Sequence, residues 1–343
     1  MDCSNSVPRT AAVAEDAQPL LKAILGAVLA AGVAVVPLAV RSQTSDTFPV
    51  RPIRLITGPA ASQNDIVARM LGAKLSESLG QPVVVENRAG AGGAIAAALV
   101  AKAAPDGYTL LSQSAQFSIR AALNANLTYD ALKDFAGITR TGFSTQVLVV
   151  SSSLGARSVK ELITLAKARP APILFGSAGA GTGMHMDAER FRFVAGVEAR
   201  HVGFKGASEA LIEVLAGRVH YAVPGLGPAL PLIKDGKLVS LALTAPQRSP
   251  LLPNVPTMAE VLPGYPDRDG SFGLMAPAGT PHPIRNRIAD AVMKVLELPD
   301  VKSRMQAMGF VPAPTTPTEH DRVLREEIES YSKIAKLVGL RGQ

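Results

Sequence analysis

The chain has 343 residues, of which 47% are hydrophobic and 18% are charged, so packed cores are expected and general disorder is not. It has no Trp and only 4% aromatic residues, and its net charge of +7 is spread along the chain, which argues against a nucleic-acid-binding surface. The single cysteine, Cys3, lies near the start of the chain, so a disulfide framework, a cysteine zinc site and thiol catalysis are excluded.

The first recognisable element is an apolar stretch over residues 23–40, which follows Lys22 and precedes Arg41 and Ser42. A charged residue, an apolar core and small residues are the order found in secretory signal peptides, so we predict export, with residues 1–42 as the signal. The apolar stretch is also close to the length that spans a bilayer, which makes an uncleaved membrane anchor the alternative.

After this segment, short apolar strands alternate with amphipathic helices. A strand at residues 53–57 is followed by a helix at 65–79, a strand at 82–87, an Ala-rich helix ending at 103, and a third strand at 108–113. This order predicts a parallel sheet with right-handed crossovers.

The same alternation returns in the middle of the chain. We predict strands at residues 147–151, 173–177, 199–204, 219–223 and 240–244, and helices at 159–167, 184–194 and 208–216. Ser158 is well suited to cap the first of these helices. A Pro-rich connection then leads to a strand at 272–277 and to helices at 284–296 and 319–338.

These elements predict an α/β protein with two Rossmann-like lobes and a central cleft. Residues 43–146 and 270–343 form one lobe, and residues 147–269 form the other. Two chain crossings between the lobes make a hinge, and ligands in such sheets bind beyond the carboxyl ends of the strands.

Six blocks of sequence carry a resemblance to a known family. They are DIVAR (65–69), GQPVVVENRAGAGG (80–93), APDGYTLL (104–111), SAGAGT (177–182), FKG (204–206) and APAGTP (276–281). In combination they resemble the substrate-binding proteins of tripartite tricarboxylate transporters, also called Bug proteins, and the match runs from Phe48 to the C-terminus. The resemblance implies a periplasmic-binding-protein type II fold, export, no catalysis, and capture of a small carboxylate for the membrane subunits of a transporter.

The loop after the first strand is one candidate ligand site. Ser62, Gln63, Asn64 and Asp65 open a helix there, and first-turn amides together with the helix dipole favour an anion. The family that the chain resembles has a run of glycines at this point, whereas this chain has Ala61, Ser62 and Gln63. These side chains enter the ligand space, so the ligand or its pose is expected to differ.

Two further loops are candidates because each follows a strand with small or polar residues. Gln113 and Ser114 end the third strand, with Gln116 close behind, and their side chains can bond a carboxylate. The strongest segment is Ser177–Thr182, where Ser177, Ala178, Gly179 and Thr182 can bring backbone amides to a ligand. It lacks the Lys-Ser/Thr pair of a P-loop and the dinucleotide G-x-G-x-x-G pattern.

Three more positions are placed at the cleft by the resemblance. His185 either assists anion binding or packs in support of the loop, Lys205 borders the cleft, and Gly225 lies in a turn after a strand. In the family that the chain resembles, many members have Asp where this chain has Pro224. We therefore hypothesise a ligand without a free amino group.

No motif indicates catalysis. The histidines do not have metal-ligand spacing, no acidic pair is placed for acid–base work, and no G-x-S-x-G elbow is present. We therefore predict a monomeric binding protein without cofactor or metal. A periplasmic sensor with a signalling partner is the second hypothesis, and an enzyme of unknown type is the third.

Overall fold

A computed structural model describes residues 48–60, 62–123, 126–265, 270–337 and 339–340. The predicted signal peptide and Ala61 lie outside these described residues. Within them, no helix combines the length and apolar character needed to cross a membrane.

The described residues contain eleven strands, here numbered in chain order. They are β1 Ile53–Thr57, β2 Val83–Asn87, β3 Thr109–Gln113, β4 Phe135–Ser144, β5 Val147–Ser151, β6 Ile173–Ser177, β7 Ala199–Gly203, β8 Tyr221–Ala222, β9 Leu238–Leu243, β10 Ser271–Pro277 and β11 Phe310–Pro312.

Eleven α-helices fall within the same residues. They are α1 Gln63–Leu79, α2 Ala94–Ala101, α3 Ala115–Ala122, α4 Val159–Ala168, α5 Gly183–Ala195, α6 Ala207–Leu215, α7 Leu226–Lys234, α8 Met258–Val261, α9 His282–Glu297, α10 Pro299–Ala307 and α11 Pro317–Leu337.

The first sheet has six strands in the order β11-β4-β10-β3-β1-β2. β1 pairs in parallel with β2 and β3, as the strand–helix–strand order predicts, and β10 is antiparallel to β3 and β4. Its main core buries side chains of β1 and β3 against α1 and α9, among them Leu55, Leu71, Leu110 and Ile288. Each such aliphatic side chain contributes about 1.5–3 kcal/mol to stability, so this core holds the strand ends in place.

The second sheet has five strands in the order β7-β6-β8-β5-β9. β6 is parallel to β7 and β8, and β5 is antiparallel to β8 and β9. Phe175, Phe191 and Tyr221 are buried in one of its cores, with Phe191 edge-on to Tyr221. Ser158 caps α4 as predicted, because its Oγ accepts the Glu161 N–H at 3.2 Å.

The mixed α/β class with two sheets is confirmed. All strands of the first sheet fall in residues 43–146 and 270–343, and those of the second fall in 147–269. The chain passes from β4 into β5 through Thr145 and Gln146. Residues 44–343 nevertheless group as one compact unit, so the lobe boundaries stay a prediction.

Strand β4 is absent from the sequence-based prediction, although it is ten residues long. Its sequence lacks a clear hydrophobic alternation, in part because glycine stands at two positions where close packing leaves no room for a side chain. A Cβ at Gly137 would lie 2.7 Å from Asp321 Oδ1, and one at Gly142 would collide with the Val311 carbonyl oxygen. Strand β11 and helices α3, α7, α8 and α10 are also additions, and α7 escapes notice because it contains Pro231.

Candidate functional site

A cavity of about 380 Å³ lies at the carboxyl ends of β1 and β3 and reaches helix α5 of the second sheet. Its polar and glycine lining consists of Gly58, Ser62, Gln63, Asn64, Gly92, Gly93, Ser112, Gln113, Ser114, Gln116, Ser144, Gln146, Gly183, Asp187 and Gly270. Pro59, Ala96, Leu111, Ala115, Phe117, Tyr129, Phe272 and Tyr331 complete the walls. The size suits a small organic molecule.

Three helices of the first sheet begin at this cavity. Helix α1 is capped by Ser62, whose Oγ accepts the Asp65 N–H at 3.2 Å. Helices α2 and α3 begin after Gly93 and Ser114, and neither of these residues makes a side-chain capping bond. The Ala94 N–H already donates to the Ala91 carbonyl oxygen, and the Phe117 N–H donates to the Ser114 carbonyl oxygen at 2.9 Å. The other N–H groups of these first turns lie at the positive end of a helix dipole, which favours an anion.

A cationic side chain lies directly behind one wall. Arg120 on α3 packs so closely against Gly92 that a methyl group at that position would collide with the Arg120 Nε. Gly92 has a positive φ of 57°, and the buried Arg120 Nε has no hydrogen-bond partner among the described residues. The guanidinium therefore adds positive potential at the wall formed by Gly92 and Gly93.

Gln113 is the most unusual polar group of the lining. It is 2% exposed, and neither its Nε2 nor its Oε1 has a hydrogen-bond partner among the described residues. A buried amide left unpaired costs about 1–3 kcal/mol, so a partner is expected from the contents of the cavity.

Asn64 and Ser112 form a rigid support beside Gln113. The Asn64 Nδ2 donates to Thr57 Oγ1 at 2.9 Å and to the Ser112 carbonyl oxygen at 2.7 Å. The Ser112 Oγ in turn donates to Asn64 Oδ1 at 3.0 Å. This network joins the ends of β1 and β3, and it leaves both Asn64 side-chain atoms engaged.

The second sheet contributes Gly183 and Asp187 from α5, and the crossover between the sheets contributes Ser144 and Gln146. The two regions touch where Gln116 Nε2 donates to the Gly181 carbonyl oxygen at 3.1 Å. Gln63 Nε2 also reaches toward the crossover, at 3.5 Å from Ser144 Oγ. A change in the angle between the sheets would therefore alter the cavity.

Asp187 is the one carboxylate among the described lining residues. It is 4% exposed, and its Oδ1 accepts from Arg190 Nη1 at 2.9 Å. Burial raises the pKa of Asp187, and the nearby Arg190 acts in the opposite direction. The cavity therefore has a carboxyl group, that of Asp187, although this chain has Pro224 where many proteins of the family that it resembles have Asp.

The structure brings five of the thirteen predicted residues together at the cavity: Ser62, Gln63, Asn64, Gln113 and Ser114. The other eight do not line it: Asp65, Ser177, Ala178, Gly179, Thr182, His185, Lys205 and Gly225. Asp65 points away, because it accepts from Asn87 Nδ2 at 2.7 Å and from Arg69 Nε at 3.2 Å.

The loop Ser177–Thr182, the strongest candidate by sequence, bonds mainly within its own surroundings. Ser177 Oγ accepts the Gly179 N–H at 3.1 Å and lies 2.6 Å from His201 Nε2. The Gly181 N–H donates to His185 Nδ1 at 3.0 Å, and Thr182 Oγ1 donates to the Gly179 carbonyl oxygen at 2.8 Å. Its polar groups are therefore committed to holding the loop.

His185 supports this loop, one of the two roles considered for it. Its ring stacks on that of His201 at 3.8 Å, and its Nε2 lies 3.7 Å from Glu189 Oε1. Burial, followed by the charge of His185, lowers the pKa of His201 to about 4, so His201 is neutral at neutral pH. Among the described residues, no group of three His, Cys, Asp or Glu could hold a metal ion.

Lys205 and Gly225 lie beside the region rather than in it. Lys205 is exposed, and its backbone N–H donates to Glu209 Oε2 at 2.9 Å. Gly225 pairs with Gln146 in an isolated antiparallel bridge, and a Cβ there would lie 3.8 Å from Gln146 Oε1. It therefore stands directly behind a lining side chain.

Several lining residues have no counterpart in the sequence-based list. Ser144 and Gln146 flank Thr145 in the crossover and face the cavity, as the alternation of an extended chain requires. Recognising β4 would have been enough to find them. Asp187 lies within a helix whose polar residues fit a solvated face equally well, and Tyr331 comes from distant α11, so neither carries a local signal.

The comparisons with known proteins identify the family of the chain. The sequence profile of the tripartite tricarboxylate transporter family receptor matches residues 67–340. Protein BugT of Bordetella pertussis is 34% identical over 326 residues, which is 94% of this chain and 98% of that protein.

Two solved structures show the same fold. Rpa4515 of R. palustris with adipate is 32% identical with a TM-score of 0.72, covering 86% of this chain and 100% of that chain. The periplasmic binding protein BugD is 28% identical with a TM-score of 0.70, again over 86% and 100% of the two chains. The chain therefore belongs to the receptor family of the tripartite tricarboxylate transporters, a family of periplasmic solute-binding proteins.

Proposed function

We propose that this protein captures a small carboxylate in the cavity between its two sheets and presents it to the membrane subunits of a tripartite transporter. The observation that carries the proposal is the convergence on one cavity of two helix starts without a side-chain cap, at Gly93 and Ser114. The adipate held by Rpa4515 supports the same ligand class.

The chemistry follows from the donors present. Backbone N–H groups at the starts of α2 and α3, with the Ser114 hydroxyl, can bond carboxylate oxygens, and Arg120 adds a favourable charge behind Gly92. No Lys or Arg side chain is among the described lining residues, so dipoles and hydrogen bonds provide most of the binding. Such a site can hold an anion and still release it.

Closure of the two sheets about the crossover at Thr145–Gln146 would complete the site. Asp187 and Gly183 come from one side, and most of the remaining lining comes from the other, so an open form would separate the two sets. A ligand that contacts both sides stabilises the closed form by its differential affinity. The membrane partner would then recognise the closed receptor.

Isothermal titration calorimetry tests the ligand class. We expect adipate, adipamate or shorter homologues to bind, and adipamide and hexanediol, which have no carboxylate, to show no binding. Arg120→Gln should weaken carboxylate binding by about tenfold, equivalent to 1.4 kcal/mol. Arg157→Gln, which removes the same charge at an exposed position of the second lobe, is the matched control. Binding of the neutral compounds alone would contradict the proposal.

We further propose that the protein is exported by way of residues 1–42 and acts as a monomer. The apolar stretch at residues 23–40 and the periplasmic location of solved relatives support the export. Cell fractionation with mass spectrometry of the mature N-terminus tests the export, and light scattering with and without ligand tests the monomer. A full-length protein in the cytoplasmic fraction would contradict the export proposal.

A further inference from the structure

The side-chain amide of Gln113 needs hydrogen-bond partners, and this need bears on the chemistry of the ligand. Its Nε2 is a donor and its Oε1 an acceptor, both buried and both without a partner among the described residues. Two other polar side chains of the lining are already engaged: Asn64 with Thr57 and Ser112, and Gln116 with the Gly181 carbonyl oxygen. A molecule in the cavity is therefore the partner that we expect for Gln113.

A carboxylate meets only half of that requirement. Ionised carboxyl oxygens accept hydrogen bonds and donate none, so a carboxylate placed against Gln113 leaves Oε1 unpaired. A carboxamide donates to Oε1 and accepts from Nε2 at the same time, and the two planar amides can pair through both bonds. The cost of an unpaired buried acceptor, about 1–3 kcal/mol, separates the two groups.

The charges around the cavity point in the same direction. One anionic group on the ligand would be stabilised by the starts of α2 and α3 and by the guanidinium of Arg120 behind Gly92. A second anionic group would share a small cavity with the buried carboxyl group of Asp187, whose Oδ1 already accepts from Arg190. Burial beside a carboxyl group, with no Lys or Arg among the described lining residues to pair with it, disfavours a second carboxylate.

We infer that Gln113 is a specificity-determining residue and that the ligand is a monoanion: a carboxylate at one end and, at the other, an uncharged carboxamide that pairs with Gln113. This inference rests on the proposed capture of a carboxylate. It distinguishes this receptor from its relative Rpa4515, whose structure holds the diacid adipate.

Calorimetry with matched pairs tests the inference. Adipamate is compared with adipate, and succinamate with succinate, because each pair differs only in the replacement of one carboxylate by an amide. We expect the monoamide of the better-fitting length to bind at least tenfold more tightly than its diacid, about 1.4 kcal/mol. A diacid that binds as tightly as its monoamide, or more tightly, overturns the inference but leaves carboxylate capture standing. Absence of binding by all four compounds overturns both.

Variants locate the effect at Gln113. Gln113→Met removes both amide atoms at similar volume and should reduce the monoamide-to-diacid ratio to within threefold. Gln116→Met, the matched control, removes the bond to the Gly181 carbonyl oxygen and should weaken both compounds by the same factor, which preserves the ratio. A Gln113→Met protein that keeps the wild-type ratio would assign the selectivity elsewhere and overturn the inference. The ratio measured with wild-type protein decides the ligand class even if a variant does not fold.

Discussion

Two loops beside the cavity each join a strand to a helix. They differ in whether their polar groups have hydrogen-bond partners within the protein. In residues 177–182, Ser177 and Gly181 are bonded to His201 and His185. In residues 113–116, Gln113 lines the cavity, and its buried amide has no hydrogen-bond partner among the described residues. We therefore expect the loop whose polar groups are already paired to support the site, and the loop with an unpaired buried group to contact the ligand.

The largest effect that tests this difference between the two loops is expected at Gln113. Gln113→Met should weaken binding of the preferred ligand by tenfold or more and at the same time stabilise the ligand-free protein, because the buried unpaired amide is removed. The expected gain is about 1–3 kcal/mol in the free energy of unfolding. Urea unfolding without ligand and calorimetry with it measure the two effects. A variant that is less stable without ligand would show that Gln113 is paired within the protein.

Ser177 should show the opposite pattern. Ser177→Ala leaves the Gly179 N–H and the ring of His201 without their common partner, at a cost of about 2 kcal/mol of unfolding free energy. Affinity should change less than threefold, since Ser177 is fully buried and does not line the cavity. Urea unfolding and calorimetry on the same preparation check both effects. A tenfold loss of affinity with unchanged stability would restore Ser177 as a ligand contact.

These two residues show how far the sequence can predict the site. Both follow parallel strands, and the sequence correctly places such loops at carboxyl ends. Which loop faces the ligand depends on pairings with His185 and His201, which come from other elements, and no local pattern reports them. Asp187 presents the same difficulty, because its exposure to the cavity is decided by how α5 packs.

The fold is more predictable than the site for the same reason. Strands β1, β5 and β6 have the predicted bounds, because the short apolar runs of a buried sheet can be recognised from the local sequence alone. Strand β4 does not, because Gly137 and Gly142 are required by contacts with α11 and β11 rather than by any local preference. Long-range packing therefore decides both the missed strand and the missed lining residues on its crossover.

The loop 177–182 should also respond to pH. The unfolded chain protonates His201 near pH 6.5, whereas folded His201, with a pKa of about 4 caused by burial and by the charge of His185, does not. Between these values the unfolded state binds more protons, so stability should fall as the pH is lowered from about 7 to about 4. Glu189 opposes the shift. Urea midpoints at several pH values measure the slope.

His201→Gln isolates this contribution. The substitution removes the titrating ring and keeps a polar group near Ser177 Oγ, so the decline in stability at acidic pH should become shallower. His320, whose pKa burial lowers to about 3, remains in the variant and continues to contribute a decline of the same sign. An unchanged slope would mean that His201 binds protons equally in the folded and unfolded chains.

The smallest difference expected, about 1 kcal/mol, separates two helix caps, Thr182 on α5 and Ser158 on α4. The Thr182 Oγ1 accepts the His185 N–H at 3.3 Å and donates to the Gly179 carbonyl oxygen at 2.8 Å. Ser158 caps α4 in the same way, with its Oγ 3.2 Å from the Glu161 N–H, but at an exposed site without a loop to hold. Each replacement by Ala should cost about 1 kcal/mol as a lost cap, and Thr182→Ala should cost about 1 kcal/mol more for the lost bond to Gly179. Equal losses, measured by urea unfolding, would show that Thr182 only caps its helix and that the loop is held by Ser177 and His185 alone.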